Sequence, residues 1–253
     1  MRIPADLINS VRFLTIVPMP DSVDPFAPDW MSRAMKYFPL VGAGIGLVSA
    51  IVLLIANEFW SPVIAALLAV IASVAITGAF HEDGLADTAD SLGGYTIEKR
   101  LAIMKDSRIG TYGAVALGLG VALRVAAIAD LPMWAGPAAL IAAHAAARVT
   151  GMFVINRMNH AGDTATMKVS YVESKVRSGE QTFALVVVLL AALPLALISL
   201  TAVLTGLICG TVLAVMVTRW TRRALGGYTG DVLGATEQLF EIGFLLGVAA
   251  ALS

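Results

Sequence analysis

The sequence predicts an all-α protein, a bundle of helices that crosses a membrane several times. Of its 253 residues, 58% are hydrophobic and only 14% are charged, whereas charged residues make up about 25% of a typical soluble domain. Seven apolar stretches are long enough, at roughly 17–25 residues, to cross a bilayer as helices. The one cysteine, Cys209, lies within an apolar stretch, so we expect neither disulfides nor a cysteine-based metal site. We expect one integral-membrane domain over residues 1–253, without an N-terminal signal peptide.

The apolar stretches predict about seven transmembrane helices in order along the chain. They cover 38–56, 60–80, 110–129, 131–155, 182–200, 202–218 and 232–252. The fifth and sixth are separated only at Ser199–Thr201, and the seventh carries Glu237 and Glu241, so six spans is the alternative. Two shorter segments, 4–17 and 97–104, have an apolar stripe at helical spacing and are predicted to be interfacial helices on the cytoplasmic surface. Residues 18–28 contain four prolines and are predicted to be an extended connector.

The positive charges predict the orientation of the bundle. All 17 Lys and Arg residues lie before the first span or in alternate connections, except Arg124 and Arg148, which fall inside spans. Lys and Arg are enriched on the cytoplasmic side of membrane proteins, so the N-terminus and these connections are predicted to be cytoplasmic. Ionisable groups inside spans are functional candidates. Arg148, one turn from His144, is predicted to line a cavity or form a structural ion pair, and Arg124 to pair with Glu241.

Four carboxylates follow the second span within nine positions: Glu82, Asp83, Asp87 and Asp90. The three aspartates occur at i, i+4 and i+7, so a helix would place them on one face. Acids also cap helix N-termini, but that role explains one or two carboxylates and not four. Aspartate and glutamate without nearby cysteine favour a hard cation, and Mg²⁺ typically binds a few carboxylates together with substrate phosphates. We therefore predict a Mg²⁺–diphosphate site here, and Glu82 is the first acid we would omit from it.

Two more cytoplasmic connections carry residues suited to phosphate binding. A guanidinium can clamp a phosphate through two hydrogen bonds, and glycine lets backbone N–H groups approach an anion. The competing interpretation is that the cations only set the topology and the glycines only allow close helix packing. The candidates are Lys105, Arg108, Gly110 and Thr111 in the first connection, and Gly227, Thr229, Gly230 and Asp231 in the second.

Taken in order, these motifs resemble those of the cobalamin synthases, the adenosylcobinamide-GDP ribazoletransferases. One position departs from the family pattern, because Ser91 stands where a glycine usually follows the third aspartate. That change alters local backbone freedom and removes no ligand. The resemblance is carried by Phe13-x-Thr15-x-x-Pro18, Phe38-Pro39-Leu40-x-Gly42, His81-x-Asp83-Gly84-Leu85-Ala86-Asp87-x-x-Asp90, Met104-Lys105-Asp106-Ser107-Arg108-Ile109-Gly110-Thr111 and Leu225-Gly226-Gly227-x-Thr229-Gly230-Asp231-x-Leu233-Gly234-Ala235.

The resemblance implies a multi-pass catalytic domain in a bacterial inner membrane. Such an enzyme transfers the phosphocobinamide moiety of adenosylcobinamide-GDP to α-ribazole or its 5′-phosphate, releases GMP and needs Mg²⁺. The lipid bilayer is then a partner and nucleic acid is not. A homo-oligomer, or contact with other cobalamin-assembly enzymes, is left open, as is a role for residues 156–181 in contacting corrin or ribazole.

The resemblance also implies roles for individual residues. Arg108 and Arg148 are expected to offset charge on the transferred phosphoryl group. Either His81 or Asp90 is expected to accept the proton of the ribazole hydroxyl, and the sequence does not decide between them. The expected metal ligands are Asp83, Asp87, Asp90 and Asp231.

Three other classes of protein are weighed against this interpretation. A CDP-alcohol phosphotransferase would carry Ala-Arg after its first Asp-Gly pair, where this chain has Leu85-Ala86-Asp87. A prenyltransferase would need a second aspartate-rich motif. A transporter with an acidic cation site would place it near the membrane midplane on broken helices, whereas these acids follow the end of a span.

Overall fold

The computed structural model describes residues 4–20, 29–161 and 175–253. The predicted connector 18–28 and the loop 156–181 therefore lie partly outside the described residues. Over the described ranges the chain is all-helical and has no strand; a parallel bridge joins His160 to Tyr228. The α-helices are α1 (Ala5–Leu14), α2 (Trp30–Ala34), α3 (Phe38–Asn57), α4 (Pro62–Thr77), α5 (Phe80–Asp90), α6 (Ile97–Met104), α7 (Thr111–Asp130), α8 (Gly136–Ala147), α9 (Thr150–Arg157), α10 (Ser178–Ile198), α11 (Leu200–Ala224) and α12 (Gly230–Leu252).

These helices confirm the predicted polytopic bundle. Six helical segments of the described chain are long and apolar enough to cross a membrane, and a bent pair, Pro62–Thr77 with Phe80–Gly93, makes up to seven. The least certain of the predicted spans, residues 232–252, is one of the six. The predicted amphipathic segments at 4–17 and 97–104 contain α1 and α6.

The central helices of the bundle are α8, α9 and α12. Of the residues in the apolar windows of α8–α9 and α12, 89% and 83% are buried, against 22% for α10 and 28% for α7. The apolar side chains of the outer helices therefore face outwards, as expected for a surface in contact with lipid. α12 packs against α5, α7, α8 and α11, so it connects the acidic segment to the rest of the bundle.

A sharp corner between α4 and α5 orients the acidic helix. Gly78 and Ala79 both have left-handed backbone conformations, with φ of 63° and 59°, and the Ala79 N–H donates to the Val74 carbonyl at 2.9 Å. This arrangement ends α4 in the manner of a Schellman cap, and the chain turns by 92° into α5. α5 lies outside the six spans, packed against α7 and α12.

Candidate active site

A cavity of about 820 Å³ lies where α1, α5, α6, α9 and the first turn of α12 meet. It is large enough for a nucleoside and a phosphate group. The polar part of its lining comes from α5, residues 105–107 and the start of α12. The predicted site residues in this lining are His81, Asp83, Asp87, Lys105, Thr229, Gly230 and Asp231.

Asp83, Asp87 and Asp231 meet in this cavity because α5 crosses the start of α12 at very short range. A Cβ atom on Gly84 would lie 2.7 Å from the Asp231 carbonyl oxygen, so only glycine permits the approach. Burial raises the pKa of Asp87 most, the negative charges of Asp231, Asp83 and Asp90 add to this in that order, and together they bring it to about 7. The carboxylates thus repel one another strongly enough to favour either a proton or a cation among them.

Asp90 has a different position from the one expected of a metal ligand. Its two carboxylate oxygens accept hydrogen bonds from the backbone N–H groups of Gly110, at 2.7 Å, and Gly113, at 2.8 Å. The side chain is buried and does not belong to the cavity lining. Asp90 therefore caps the start of α7, where free N–H groups and the helix dipole favour a carboxylate.

Two of the three glycines predicted to bind phosphate, Gly110 and Gly227, instead bring segments of the protein together. A Cβ on Gly110 or Gly113 would overlap the Asp90 carboxylate, and a Cβ on Gly227 would overlap the Asn159 carbonyl. The Tyr228 N–H donates to that same Asn159 carbonyl at 3.0 Å. Thr229 lines the cavity and also caps α12 by accepting from the Val232 N–H at 3.3 Å.

The predicted cations of the 105–111 segment separate into two environments. Lys105 lines the cavity together with Asp106 and Ser107. The Arg108 side chain is 87% exposed and forms a salt bridge with Asp106 at 2.7 Å, and this pairing lowers the pKa of Asp106 to about 2. Thr111 is exposed at the start of α7 and outside the lining. Arg108 therefore stands at the cavity mouth and not inside it.

Arg148 is a member of a buried ion network. Its side chain is 1% exposed and is not part of the cavity lining. The guanidinium contacts Glu237 at 3.3 Å and Glu241 at 3.4 Å, so its charge is already neutralised. Of the two predicted alternatives, the structural ion pair is the one that the geometry supports.

The same network joins α5, α7, α8 and α12. One carboxylate oxygen of Glu241 pairs with the Arg124 guanidinium at 3.3 Å, as predicted. The other oxygen lies 3.0 Å from Nδ1 of His144. Arg124 also pairs with Glu82 at 3.0 Å. Glu82 therefore faces the core, which agrees with its omission from the expected ligands. Each charged side chain of this network has an opposite partner, as an apolar interior requires.

His81 connects this network to the cavity. Its Nε2 lies 2.9 Å from a carboxylate oxygen of Glu237, and the ring lines the cavity although the residue is only 1% exposed. Neither ring nitrogen makes a well-aligned hydrogen bond among the described residues, so the contact of Nε2 with Glu237 is electrostatic. With its hydrogen on Nε2, the nitrogen nearer Glu237, a neutral His81 has Nδ1 as its acceptor. Nothing in the sequence indicated the contact between His81 and Glu237, because the two residues belong to helices that are far apart along the chain.

The carboxylates of the cavity suit a metal ion that is shared with a substrate. No group of three or more His, Cys, Asp or Glu side chains in the described ranges is arranged to hold a metal by itself. Mg²⁺ commonly takes only one or two carboxylates and completes its octahedron with water and substrate phosphates. Asp87, with Asp83 or Asp231, supplies that number. The donor set thus fits a Mg²⁺ bound jointly with a phosphate group.

The fold and the cavity define the class: a polytopic membrane protein whose acidic cavity is suited to a metal-bound phosphate. The family model of cobalamin-5-phosphate synthase matches residues 6–249, and the chain belongs to this family. The predicted resemblance is therefore confirmed, and the protein is a membrane transferase of cobalamin biosynthesis. This membership sets aside the CDP-alcohol phosphotransferase, prenyltransferase and transporter alternatives.

Similar proteins from several bacteria bear the name adenosylcobinamide-GDP ribazoletransferase. One from Leptothrix cholodnii is 40% identical over 94% of this chain and 92% of its own length. One from Shewanella piezotolerans is 41% identical, covering 92% and 90%, and one from Azorhizobium caulinodans is 43% identical, covering 98% and 96%. No solved structure gives a significant match.

Proposed function

We propose that the protein transfers the phosphocobinamide moiety of adenosylcobinamide-GDP to α-ribazole or its 5′-phosphate in a Mg²⁺-dependent reaction that releases GMP. The supporting observation is the meeting of Asp83, Asp87 and Asp231 in one cavity, with the pKa of Asp87 raised to about 7. Partly buried carboxylates that repel one another favour the binding of a divalent cation together with the diphosphate it carries. The reaction is the one that the names of the relatives describe.

The transfer replaces one phosphoryl–oxygen bond by another. The oxygen of a ribazole hydroxyl bonds to the phosphorus that carries cobinamide, and the bond from that phosphorus to the bridging oxygen of GMP breaks. GMP leaves with the bridging oxygen, and the hydroxyl proton goes to a base of the protein. Mg²⁺, when bound, supplies positive charge to the diphosphate. Asp87 with Asp83 and Asp231 would hold it.

His81 is the better placed of the two bases that the sequence offered. Both oxygens of Asp90 already accept backbone N–H groups. His81, in contrast, lines the cavity beside the carboxylates, with Nε2 against Glu237 and Nδ1 without a partner in the described protein. We assign proton acceptance to Nδ1 of His81 and positioning of its ring to Glu237.

Lys105 and Arg108 offset the charge of the leaving nucleotide. Lys105 is a flexible point charge in the cavity lining. Arg108, at the mouth, can exchange Asp106 for a phosphate oxygen, since its present salt bridge is exposed and therefore weak. Arg148 has no such freedom and acts only by holding Glu237.

We also propose that the cavity opens to the cytoplasm from a bacterial inner membrane. The cation-bearing connections meet at one end of the bundle: Arg100 donates to the Ala224 carbonyl at 2.9 Å, and Arg177 lies 3.9 Å from Asp29. Lys and Arg favour the cytoplasmic side. Substrate added to sealed inside-out vesicles should therefore react, and substrate added to sealed right-side-out vesicles should not.

The test of the reaction is GMP release from proteoliposomes supplied with adenosylcobinamide-GDP, α-ribazole and Mg²⁺. We expect release that stops with a chelator and falls by about 100-fold in Asp87→Asn. Asp130→Asn is the matched control, because Asp130 is exposed at the far end of α7, and it should retain full activity. Full Mg²⁺-dependent activity in Asp87→Asn would contradict the metal assignment. Replacing ribazole by its 5′-phosphate in the same assay identifies the preferred acceptor.

A further inference from the structure

The cavity has a second wall that the reaction described so far does not use. This wall is apolar, and it comes from α1, α2, the turn that follows α2 and the first residues of α3 and α5. Its residues carry no hydrogen-bonding side chains. They are Phe13, Leu14, Met31, Met35, Phe38 and Phe80.

Three phenylalanines form a connected aromatic surface within this wall. The Phe13 ring stacks on Phe38, with centroids 5.7 Å apart and planes at 14°, and meets the Phe80 ring edge-on at 5.3 Å. Phe38 is only 3% exposed, whereas Phe80 is 46% exposed. Phe13 is half-buried, so Phe80 is the most exposed of the three rings and the one best placed to meet a ligand.

The aromatic surface adjoins the polar part of the cavity through consecutive residues. The centroids of Phe80 and His81 lie 5.2 Å apart, with the rings nearly perpendicular. A planar group on Phe80 would thus have its attached polar atoms next to His81. Nucleosides have this shape, with a flat base one bond from a ribose that carries hydroxyls.

We propose, on the basis of the proposed function, that this wall binds the aromatic base of the acceptor nucleoside. The base of ribazole is a methylated benzimidazole, flat and nearly free of hydrogen-bonding groups, so an apolar aromatic wall with methionines suits it. Guanine, the other base in the reaction, would leave its amide and amino groups unpaired there. The corrin ring, with its many amides, exceeds what a cavity of about 820 Å³ can enclose.

The wall therefore separates the two substrates. The diphosphate of the donor occupies the carboxylate side, the base of the acceptor lies on Phe80, and the ribose hydroxyl between them reaches His81. Met31 and Met35, both 3% exposed, belong to the same wall. Phe80 is then a specificity-determining residue for the acceptor.

The test compares the KM values of both substrates for Phe80→Ala in proteoliposomes. Stacking of a base on an aromatic side chain contributes about 1–3 kcal/mol, so the KM for α-ribazole should rise about tenfold or more. The KM for adenosylcobinamide-GDP should stay within about twofold. Phe59→Ala is the matched control, because Phe59 is 72% exposed and lies outside the cavity, and it should change neither value.

A second comparison uses acceptors of different polarity. The wild-type protein should prefer α-ribazole to a riboside with a purine base, and Phe80→Ala should reduce that preference. If Phe80→Ala does not fold, Phe80→Leu keeps most of the volume without the aromatic face and should raise the KM for α-ribazole about threefold. Unchanged ribazole KM in a folded variant, or a rise confined to the donor, would overturn the inference.

The outcomes also distinguish this inference from the function on which it rests. If the wild-type protein releases no GMP from the two substrates with Mg²⁺, the proposed function fails. If the wild-type protein is active and the Phe80 variants keep normal ribazole KM values, only the assignment of the wall fails.

Discussion

Replacement of Asp90 by asparagine separates the capping role seen in the structure from the metal-binding role expected from the sequence. The carboxylate accepts two buried backbone N–H groups, from Gly110 and Gly113. Hydrogen bonds to a charged acceptor contribute about 1.5–3 kcal/mol each. An asparagine offers one neutral oxygen, which retains about 1 kcal/mol, and turns an NH₂ group towards the second donor. The free energy of unfolding should therefore fall by about 2–5 kcal/mol.

The measurement is unfolding of the purified protein in mixed micelles as the fraction of SDS is increased, followed by fluorescence of the four tryptophans. Asp90→Asn should unfold at a clearly lower SDS fraction than the wild type. Asp130→Asn, a change at an exposed position at the far end of α7, should shift unfolding by less than about 0.5 kcal/mol.

The Mg²⁺ dependence of the surviving activity gives the second readout. Under conditions where Asp90→Asn is folded, the Mg²⁺ concentration for half-maximal activity should match that of the wild type within about twofold. An unchanged unfolding midpoint would refute the capping role. A tenfold higher Mg²⁺ requirement in the folded variant would return Asp90 to the metal ligands.

Three further changes test other parts of the structure. Gly113→Ala would press a Cβ against Asp90 and should lower the free energy of unfolding by about 1–3 kcal/mol, whereas Gly118→Ala, where a Cβ meets nothing within 4 Å, should not. Glu241→Ala leaves buried cations without their shared partner and should lower stability by about 3–5 kcal/mol in the same SDS assay; an unaltered midpoint would contradict the ion network. Arg108→Ala should leave the midpoint unchanged and raise the KM for adenosylcobinamide-GDP about tenfold, and a KM within twofold of the wild type would remove Arg108 from the site.

Hydropathy predicted the helices well because a span needs an uninterrupted apolar run. The predicted segment 110–129 is α7, Thr111–Asp130, within one residue at each end. The segment 60–80 was less accurate, because α4 ends at Thr77 and Phe80 already belongs to α5. The left-handed conformation of Ala79 that makes this corner has no local signal, since alanine ordinarily continues a helix.

The site was predicted in part, and the errors have one physical cause. Helical spacing correctly predicted that Asp83 and Asp87 lie on one face of a helix. The similar depth of Arg124 and Glu241 in their predicted spans correctly predicted that they form a pair. Asp90 has the same spacing but lies at the end of α5, where the start of α7, twenty residues later, meets it. A glycine that admits a carboxylate looks the same in a sequence as one that admits a phosphate, so the partner of Gly110 could be found only from the fold.

The corner after α4 also sets the depth of the site. A helix of 16 residues is about 24 Å long, which is less than the roughly 30 Å of bilayer hydrocarbon. Because α5 begins where α4 stops, its first residues lie beside the second half of α7, with Glu82 3.0 Å from Arg124, and its last residue, Asp90, lies at the start of α7. The acidic helix therefore runs from the interior of the bundle to the end at which α7 and α12 begin. A short helix followed by a corner thus places the core-facing Glu82 and the cavity-lining Asp83 and Asp87 on one helix.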